Sequence, residues 1–507
     1  MAVTSTWGPA GLRPASLTVV VVVVMVCVQS VVAPPARAAA RTAVTVRPGT
    51  AVAAASGSSV PAVGEVGPSG GPVAGGMVVS VTGSGFEGAT MVRFGGVPAS
   101  SFNVISGQQG VILDAIAPPH PNGPVAVTVT TPAGTSAVSA DSTFTYRPVD
   151  GHWTSLQADR RYGHTATVLG DGKVLIAGGC VTPDPSGACT IATATAELYD
   201  PARRSFTKTG SMTRPRIGHT AVLLRDGKVL VTGGCPTLRC LPVQAAVRSA
   251  ELYDPASRTW APTGDRPYAQ NQVTATLLPA GPVSVCGSNC SKVLVVGPAG
   301  RDNGQAAPSD AELYDPRHGT WSSTRPLQFR RDDPVTVRLG TGNVLVRSSS
   351  VEGQGNQATP DELFDPAAGT WSPTGNTEPI PPGSAGSGPA TLLADGRVLV
   401  PGPANNGGSA LYDPLAHPDP ANPAVRGGKW TTAAPLLGGG DDTAVRLHDG
   451  KVLAVGGFAL SPPLRSTGGS PPIFSAVAQL YDETTGTWSF AATMAGARHT
   501  VPGLGGL

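Results

Sequence analysis

Short apolar runs separated by glycine-containing turns recur through most of the chain. In one unit, His164–Leu169 alternates polar and apolar residues, and Lys173–Ala177 is almost wholly apolar. Alternation predicts a strand with one buried face, whereas a short continuous apolar run predicts a strand buried on both faces. Two further strands follow at Ala196–Asp200 and Ser205–Thr209, with a proline between them that cannot donate a ladder hydrogen bond. Each unit is therefore predicted to be a four-stranded antiparallel sheet, with strands a, b, c and d in chain order.

A tetrapeptide close to Leu-Tyr-Asp-Pro marks six copies of this unit. Repetition at such a period indicates a repeat architecture. A lone four-stranded sheet cannot cover both of its faces, so neighbouring sheets must cover them, and this favours an all-β propeller of six complete repeats over residues 151–507. The copies lie at Leu198–Pro201, Leu252–Pro255, Leu313–Pro316, Leu363–Pro366, Leu411–Pro414 and Leu480–Glu483.

The two ends of this region carry strand-like segments that belong to no complete repeat. His152–Leu156 is similar to a d strand, and Ala497–Thr500 is similar to the beginning of an a strand. Propellers commonly build their last blade from both ends of the chain. The sequence leaves two plans open: a six-bladed ring with two spare strands, and the favoured seven-bladed plan cut short at Leu507.

Residues 61–147 form a separate unit of short strands, predicted at Met77–Thr82, Met91–Phe94, Val125–Thr131 and Ser142–Tyr146. Many short strands with alternating polarity in fewer than about 90 residues favour a β-sandwich of immunoglobulin type. No catalytic motif lies in this unit.

The same unit resembles the IPT/TIG family of immunoglobulin-like domains. The resemblance lies in Val81–Phe86, Phe94–Ala99, Gly123–Val129 and Pro132–Ser136. It implies a non-catalytic module that acts as a spacer or binds protein or sugar on an exported protein.

The repeat region resembles the Kelch family of propellers. The second unit carries the resemblance in Gly218–Thr220, Asp226–Leu230, Gly233–Gly234, Glu251–Asp254 and Thr259–Trp260. Other units depart from the pattern, which predicts some irregular blades. The glycine pair is lost at Gly297-Pro298, Arg347-Ser348 and Gly402-Pro403, and the glutamate before the tetrapeptide is absent at Leu411 and Leu480.

The N-terminus has the layout of a secretion signal. Arg13 precedes the apolar stretch Leu17–Ala33, and Ala36–Ala38 supplies small residues for cleavage. We expect a signal peptide over residues 1–40 and a linker over 41–60, with an uncleaved anchor as the alternative. The predicted location is outside the cell or at its surface.

Six cysteines outside the signal fall into three close couples. Six cysteines allow 15 pairings. Each couple lies within one predicted loop, so we expect three local disulfides, as suits an exported protein. No couple has the Cys-x-x-Cys spacing of a zinc site, and no cofactor is predicted. The couples are Cys180/Cys189, Cys235/Cys240 and Cys286/Cys290.

Arginines recur in the loops between strand d of one unit and strand a of the next. In an up-and-down sheet the b–c and d–a loops share one edge, so these arginines would gather around the mouth of a propeller and attract an acidic polysaccharide. The alternative, which their repetition favours, is a structural pairing with the strand-c glutamates Glu197, Glu251, Glu312 and Glu362. The candidate ligand-binding residues are Arg161, Arg214, Arg216, Arg266, Arg330, Arg331 and Arg498.

His164, His219 and His499 begin successive a strands. Three imidazoles can bind zinc or copper. The commoner role of such a histidine is a hydrogen bond that fixes a turn, and no metal site is predicted.

These patterns predict an exported, non-catalytic protein that binds an extracellular glycan or protein. The net charge of +2 and a charged fraction of 13% argue against nucleic acid as a partner. Membrane contact is expected only through an uncleaved signal segment. One alternative is a copper oxidase like galactose oxidase, whose family also uses a Kelch propeller, but this chain has no Tyr-His dipeptide. The other alternative is a protein–protein scaffold.

Overall fold

A computed structural model shows an all-β protein, and its described residues include a short 3₁₀ helix at Gly287–Asn289. The structure describes residues 2–4 and 59–491 except 68, 108–109, 149–151, 155–160, 162, 181–191, 237–246, 271, 282–285, 303–304, 330, 351–359, 376–389, 403–407, 417–426, 438–442 and 457–476.

The first folded unit is a sandwich of two sheets. One sheet has the order β2-β4-β8-β7, and the other has the order β3-β11-β9-β5-β6, with β10 on β9. All pairings are antiparallel except that of β11 with β3. The strands are β2 (Ala62–Gly67), β3 (Gly70–Pro72), β4 (Val78–Ser84), β5 (Met91–Phe94), β6 (Val97–Pro98), β7 (Ser101–Gly107), β8 (Gly110–Ile116), β9 (Gly123–Thr131), β10 (Gly134–Thr135) and β11 (Thr143–Arg147).

Alternation along these strands places the core between the two sheets. Val79 and Val81 of β4 are buried, as are Leu113 of β8 and Val127 and Val129 of β9. Polar residues between them point away from this core, as expected for a strand with a period of two. The predicted immunoglobulin-like sandwich is therefore confirmed.

A two-stranded pair joins two distant segments. β1 (Ala2–Thr4) pairs antiparallel with β12 (His152–Thr154). Of the predicted d-like strand at His152–Leu156, the first three residues form β12 in this two-stranded pair, and the last two lie outside the described residues. The rest of the predicted signal peptide and most of the linker lie outside the described residues, as does Ala497–Thr500.

Six four-stranded antiparallel sheets follow, each a meander in the predicted order a-b-c-d. We number them one to six. Sheets one to three are β13 (Thr165–Val168), β14 (Val174–Ala177), β15 (Ala196–Asp200), β16 (Ser205–Thr209); β17 (Ile217–Leu223), β18 (Val229–Cys235), β19 (Ala250–Asp254), β20 (Thr259–Thr263); and β21 (Thr274–Leu277), β22 (Val293–Asp302), β23 (Gln305–Asp315), β24 (Thr320–Ser323). Sheets four to six are β25 (Asp332–Arg338), β26 (Val344–Ser350), β27 (Glu362–Asp365), β28 (Thr370–Pro373); β29 (Thr391–Leu392), β30 (Val398–Val400), β31 (Ser409–Asp413), β32 (Lys429–Ala433); and β33 (Thr443–Arg446), β34 (Lys451–Val455), β35 (Ala478–Asp482), β36 (Thr487–Phe490).

Strand b explains why the sheets lie side by side. In β14, Leu175 and Ala177 pack against Val229 and Val231 of sheet two. Val174 and Ile176 alternate with them and face the opposite way, in a separate cluster. An apolar run buried on both faces requires a neighbour on each side. The same kind of apolar interface joins sheets two and three, three and four, four and five, and five and six.

An aromatic pair on strands c and d reinforces each interface. The tetrapeptide aromatic stands opposite the strand-d aromatic in all six sheets, for example Tyr253 opposite Trp260 with ring centroids 5.0 Å apart. Four of the strand-d tryptophans also donate an indole hydrogen bond to the preceding sheet's d–a loop. These bonds are Trp260 to Gly210 O (2.7 Å), Trp321 to Gly264 O (2.6 Å), Trp371 to Arg325 O (2.9 Å) and Trp488 to Ala434 O (3.0 Å).

One face of sheet one and one face of sheet six have no described sheet against them. Ile176 and Tyr199 of sheet one are nevertheless buried, and so are Leu453 and Val455 of sheet six. Within the described part, the buried Tyr199 hydroxyl has no hydrogen-bond partner, although the corresponding Tyr253 hydroxyl bonds Thr209 of the preceding sheet at 2.7 Å. Residues 155–160 and 492–507, which border this gap in the sequence, lie outside the description.

One of the three expected local disulfides is present among the described residues. Cys286 and Cys290 form a disulfide in the a–b loop of sheet three. Cys180 and Cys235 are also disulfide-bonded. Their predicted partners, Cys189 and Cys240, lie outside the described residues. Among the residues that the structure describes, no helix has the length and apolar character needed to cross a membrane.

Candidate ligand-binding face

The candidate site is the edge of the sheets at which strand b ends and strand a begins. Because each sheet is an up-and-down meander, its b–c loop and the d–a loop that enters it lie at this edge, which we call the loop face. The a–b and c–d turns lie at the opposite edge. All seven arginines that the sequence nominated belong to d–a connections or to segments that resemble them.

Four of these arginines are buried. Arg161, Arg216, Arg266 and Arg331 are each at most 1% exposed. Arg216 shows the arrangement in full: it donates to Gly233 O (3.0 Å), to Ser249 O (2.8 Å) and to the Glu251 carboxylate (3.0 Å). The guanidinium therefore ties the loop to the end of strand b and the beginning of strand c.

The same ion pair recurs in the first four sheets. Each arginine contacts the strand-c glutamate of the sheet that its loop enters, which is the structural pairing that the sequence raised as the alternative. The pairs are Arg161 with Glu197 (3.5 Å), Arg216 with Glu251 (3.0 Å), Arg266 with Glu312 (2.5 Å) and Arg331 with Glu362 (3.0 Å). A ligand at the surface meets none of these four guanidinium groups without opening the sheet edge.

Burial sets the electrostatics of these pairs. Desolvation lowers the pKa of Arg216 and of Arg266 from the ordinary arginine value, and the partner glutamates oppose this effect. Desolvation also raises the pKa of Glu312, against the attraction of Arg266. All three shifts express the free-energy cost of removing charges from water, which each partner reduces for the other.

The strand-c carboxylate also accepts hydrogen bonds from backbone N–H groups of the d–a loop. We call this contact the loop clamp. A glutamine replaces the glutamate in sheet six and keeps the contact without an arginine. The clamp bonds run from Thr213 N to Glu251 (2.6 Å), Tyr268 N to Glu312 (3.2 Å), Gln328 N and Phe329 N to Glu362 (2.8 and 3.2 Å), and Leu437 N to Gln479 (2.7 Å).

The remaining nominated arginines divide into two groups. Arg214 is exposed on the loop face. Arg330 and Arg498 lie outside the described residues. Arg248 and Tyr268 are also exposed on the loop face, and the sequence pattern did not predict them as binding residues. They follow no repeat, so no periodic signal distinguishes them from other loop residues.

The immunoglobulin-like unit covers part of the loop face at sheet six. The apolar core cluster of the immunoglobulin-like unit also contains Val477 and Phe490, and Leu437 packs against this cluster. Phe490 is 4% exposed, whereas Thr432, at the corresponding strand-d position of sheet five, is exposed. The sequence thus departs from the repeat at the place where the two units meet.

His164 and His219 lie at the beginnings of neighbouring a strands. The Thr165 hydroxyl and His219 Nε2 share a hydrogen bond of 3.0 Å between sheets one and two. Burial, together with a nearby arginine, lowers the pKa of each histidine to about 3, so both are neutral at physiological pH. His499 lies outside the described residues, and among the described residues no three metal-ligating side chains cluster.

The IPT/TIG domain family model matches residues 61–146. This match confirms the predicted module and nearly reproduces its predicted bounds. Such a domain implies a role in binding or interaction. A comparison with curated proteins gives no match.

Two solved structures are similar to part of this chain. One is described as a novel fungal alcohol oxidase with catalytic diversity among the AA5 family, in complex with copper; it is 16% identical, with 69% of each chain covered and a TM-score of 0.46. The other is YjhT, which is 13% identical, with 62% of this chain and 95% of that chain covered and a TM-score of 0.39. At these values neither likeness identifies the fold or the function of this chain.

Proposed function

We propose that the protein is an exported, non-catalytic binding protein, acting at the cell surface or outside the cell, whose stacked sheets form a Kelch-type propeller. Its loop face would bind an extracellular glycan or protein. The IPT/TIG domain supports a binding role. The Cys286–Cys290 disulfide supports export, because such bonds persist in oxidising compartments.

The observation that carries the proposal is the loop clamp. In sheets two, three, four and six a buried strand-c side chain fixes the d–a loop, so the neighbouring exposed side chains have defined positions. Binding surfaces gain affinity from this preorganisation, because less conformational entropy is lost when the ligand binds. Loops on a rigid scaffold are a common place for recognition.

The test is binding of the secreted protein to a panel of neutral and acidic polysaccharides at low and high salt. Arg214→Gln removes the candidate arginine that is exposed among the described residues. Arg203→Gln is its matched control, because Arg203 is exposed in a c–d turn at the opposite edge. Replacing Arg161, Arg216 or Arg331 would disturb folding instead, since these side chains are buried.

Binding of at least one polysaccharide by the wild type and the Arg203 variant supports glycan recognition. Salt-sensitive binding that only the Arg214 variant loses assigns the ligand to the acidic class. Absence of binding to every polysaccharide rejects the glycan and directs the search to a protein partner, by cross-linking on intact cells. Stoichiometric copper with turnover of an alcohol would overturn the non-catalytic proposal.

A further inference from the structure

The loop clamp holds the backbone of residues that lie at the loop face. The residues whose N–H groups it holds are Thr213, Tyr268, Gln328, Phe329 and Leu437. In three of these four loops a clamped residue is apolar or aromatic, namely Tyr268, Phe329 or Leu437.

Leu437 shows what an apolar side chain at this place can do. It packs against the core of the immunoglobulin-like unit, so the position serves as a contact point for a second body. Tyr268 has no such cover and is 43% exposed. Phe329, in the next clamped loop, is partly exposed, with the Arg331 guanidinium 5.8 Å from its ring centroid.

The loop under Tyr268 is held by several hydrogen bonds. Arg266 N donates to Arg248 O (2.9 Å), and Arg248 Nε donates to Arg266 O (2.8 Å). Arg266 Nη2 donates to Gln270 Oε1 (2.9 Å), and the clamp from Glu312 holds Tyr268 itself. Tyr268 therefore presents its ring on a fixed backbone, at a low entropic cost for a ligand that stacks on it.

Exposed groups of both signs belong to the loops that carry this ring. Arg248 and Asp265 are both exposed, Arg248 is bonded to Arg266 O in the Tyr268 loop, and Arg266 is paired with Glu312 and lies near Asp310. An exposed ring on a loop with groups of both signs and no excess of positive charge suits a ligand with many hydroxyls and no net charge. Hydroxyls can accept from a guanidinium and donate to a carboxylate, while the ring's apolar face packs on the tyrosine.

We propose that Tyr268 is a stacking platform for a neutral pyranose of a glycan chain, with Arg248 and Asp265 as hydrogen-bonding partners of its hydroxyls. This inference rests on the proposed binding function and changes the expected ligand from an acidic to a neutral glycan. Phe329 lies in the next loop and offers a second platform for a neighbouring sugar.

The experiment is titration calorimetry of the full secreted protein with cellotetraose, laminaritetraose and chitotetraose, at low and high salt. Tyr268→Ala removes the platform, and Tyr268→Phe keeps the ring. A melting curve of each variant shows whether folding is preserved. We expect binding of at least one tetrasaccharide that salt does not weaken, an affinity loss of about tenfold or more in the alanine variant, and a change below about threefold in the phenylalanine variant.

Three outcomes would overturn the inference. Equal affinity of the alanine variant and the wild type would place the sugar elsewhere. Binding of acidic polysaccharides alone, with unchanged affinity in the alanine variant, would reject the neutral platform but leave the proposed glycan function standing. Absence of binding to any tetrasaccharide or polysaccharide would reject both this inference and the glycan as the ligand of the proposed function, and would leave only a protein partner.

Discussion

The buried arginine–glutamate pairs show that the effect of a buried charge on stability depends on its partner. A lone buried charge is costly, and a paired one recovers part of that cost. The chain supplies its own comparison: sheets one to four have both charges, whereas sheet six has Gln479 and no arginine in the loop that enters it. The two charges are thus lost together.

We therefore expect unequal effects from single and double substitutions in sheet two. Arg216→Leu leaves the Glu251 carboxylate buried without its main partner and should destabilise the protein by about 3–5 kcal/mol. Adding Glu251→Gln reproduces the neutral clamp of sheet six and should recover a large part of the loss. Denaturant unfolding measures both. A double variant less stable than the single one would contradict this account of the pair.

The buried histidine His219 predicts a loss of stability in mild acid. Its pKa in the folded protein is about 3, below its ordinary value of 6.5. Its contribution is therefore complete above about pH 6.5 and falls as the pH decreases toward 3, at up to about 1.4 kcal/mol per pH unit. His219→Gln should flatten the dependence of unfolding free energy on pH between 7.5 and 5. His448→Gln, at an exposed histidine, is the control.

At the residue scale, the sequence shows which arginines recur but does not show which groups surround each guanidinium. The repetition of Arg216 and Glu251 favours a pairing over a free basic mouth, but the spacing does not say whether the side chain points into the sheet edge or out of it. Tyr268 is harder to predict as a binding residue, because a single aromatic residue in an irregular loop does not recur from one repeat to the next.

At the scale of single elements, the sequence predicted the strands well. The apolar run Lys173–Ala177 corresponds to β14 (Val174–Ala177), and its two alternating faces pack in opposite directions. Such runs are informative because burial on both faces removes every polar position. The short strands β29 (Thr391–Leu392) and β30 (Val398–Val400) agree with the irregularity expected from the lost glycine pair of sheet five.

The a–b connection of sheet three departs from the tight turns of its neighbours. It contains the Cys286–Cys290 disulfide, and Asn289 Nδ2 reaches across to Pro366 O (3.0 Å) in the c–d turn of sheet four. Replacing both cysteines by serine should destabilise the protein by about 2 kcal/mol, because the unfolded chain regains the freedom of a short loop. Unfolding of the variant and of the oxidised wild type measures the effect. An unchanged stability would show that the neighbouring contact alone holds this loop.

At the scale of the whole molecule, the immunoglobulin-like module does not simply space the sheets from another body. It shares a buried cluster with sheet six through Val477 and Phe490. Sequence comparison of the repeats could have raised this idea, because a phenylalanine stands where sheet five has an exposed threonine. The repeat pattern by itself does not say what covers that phenylalanine.

Phe490→Thr should therefore separate the module from sheet six without unfolding either. The expected result is a larger radius of gyration by small-angle scattering and faster proteolysis between residues 147 and 165, because the joint loses buried apolar area. Thr432→Ala in sheet five is the matched control and should change neither. Unchanged scattering and proteolysis of the Phe490 variant would show that the joint does not depend on this ring.

The covered outer faces of sheets one and six affect how the molecule opens. In a row of repeats, stability is the sum of each repeat's own stability and its contacts with neighbours, so a terminal repeat with one bare side frays first. Here Ile176 and Tyr199 at one end and Leu453 and Val455 at the other are all shielded from water. Neither terminal sheet is therefore expected to unfold more readily than the sheets between them. The amide protons of β14 and β34 should exchange with solvent as slowly as those of β22 in the middle of the row.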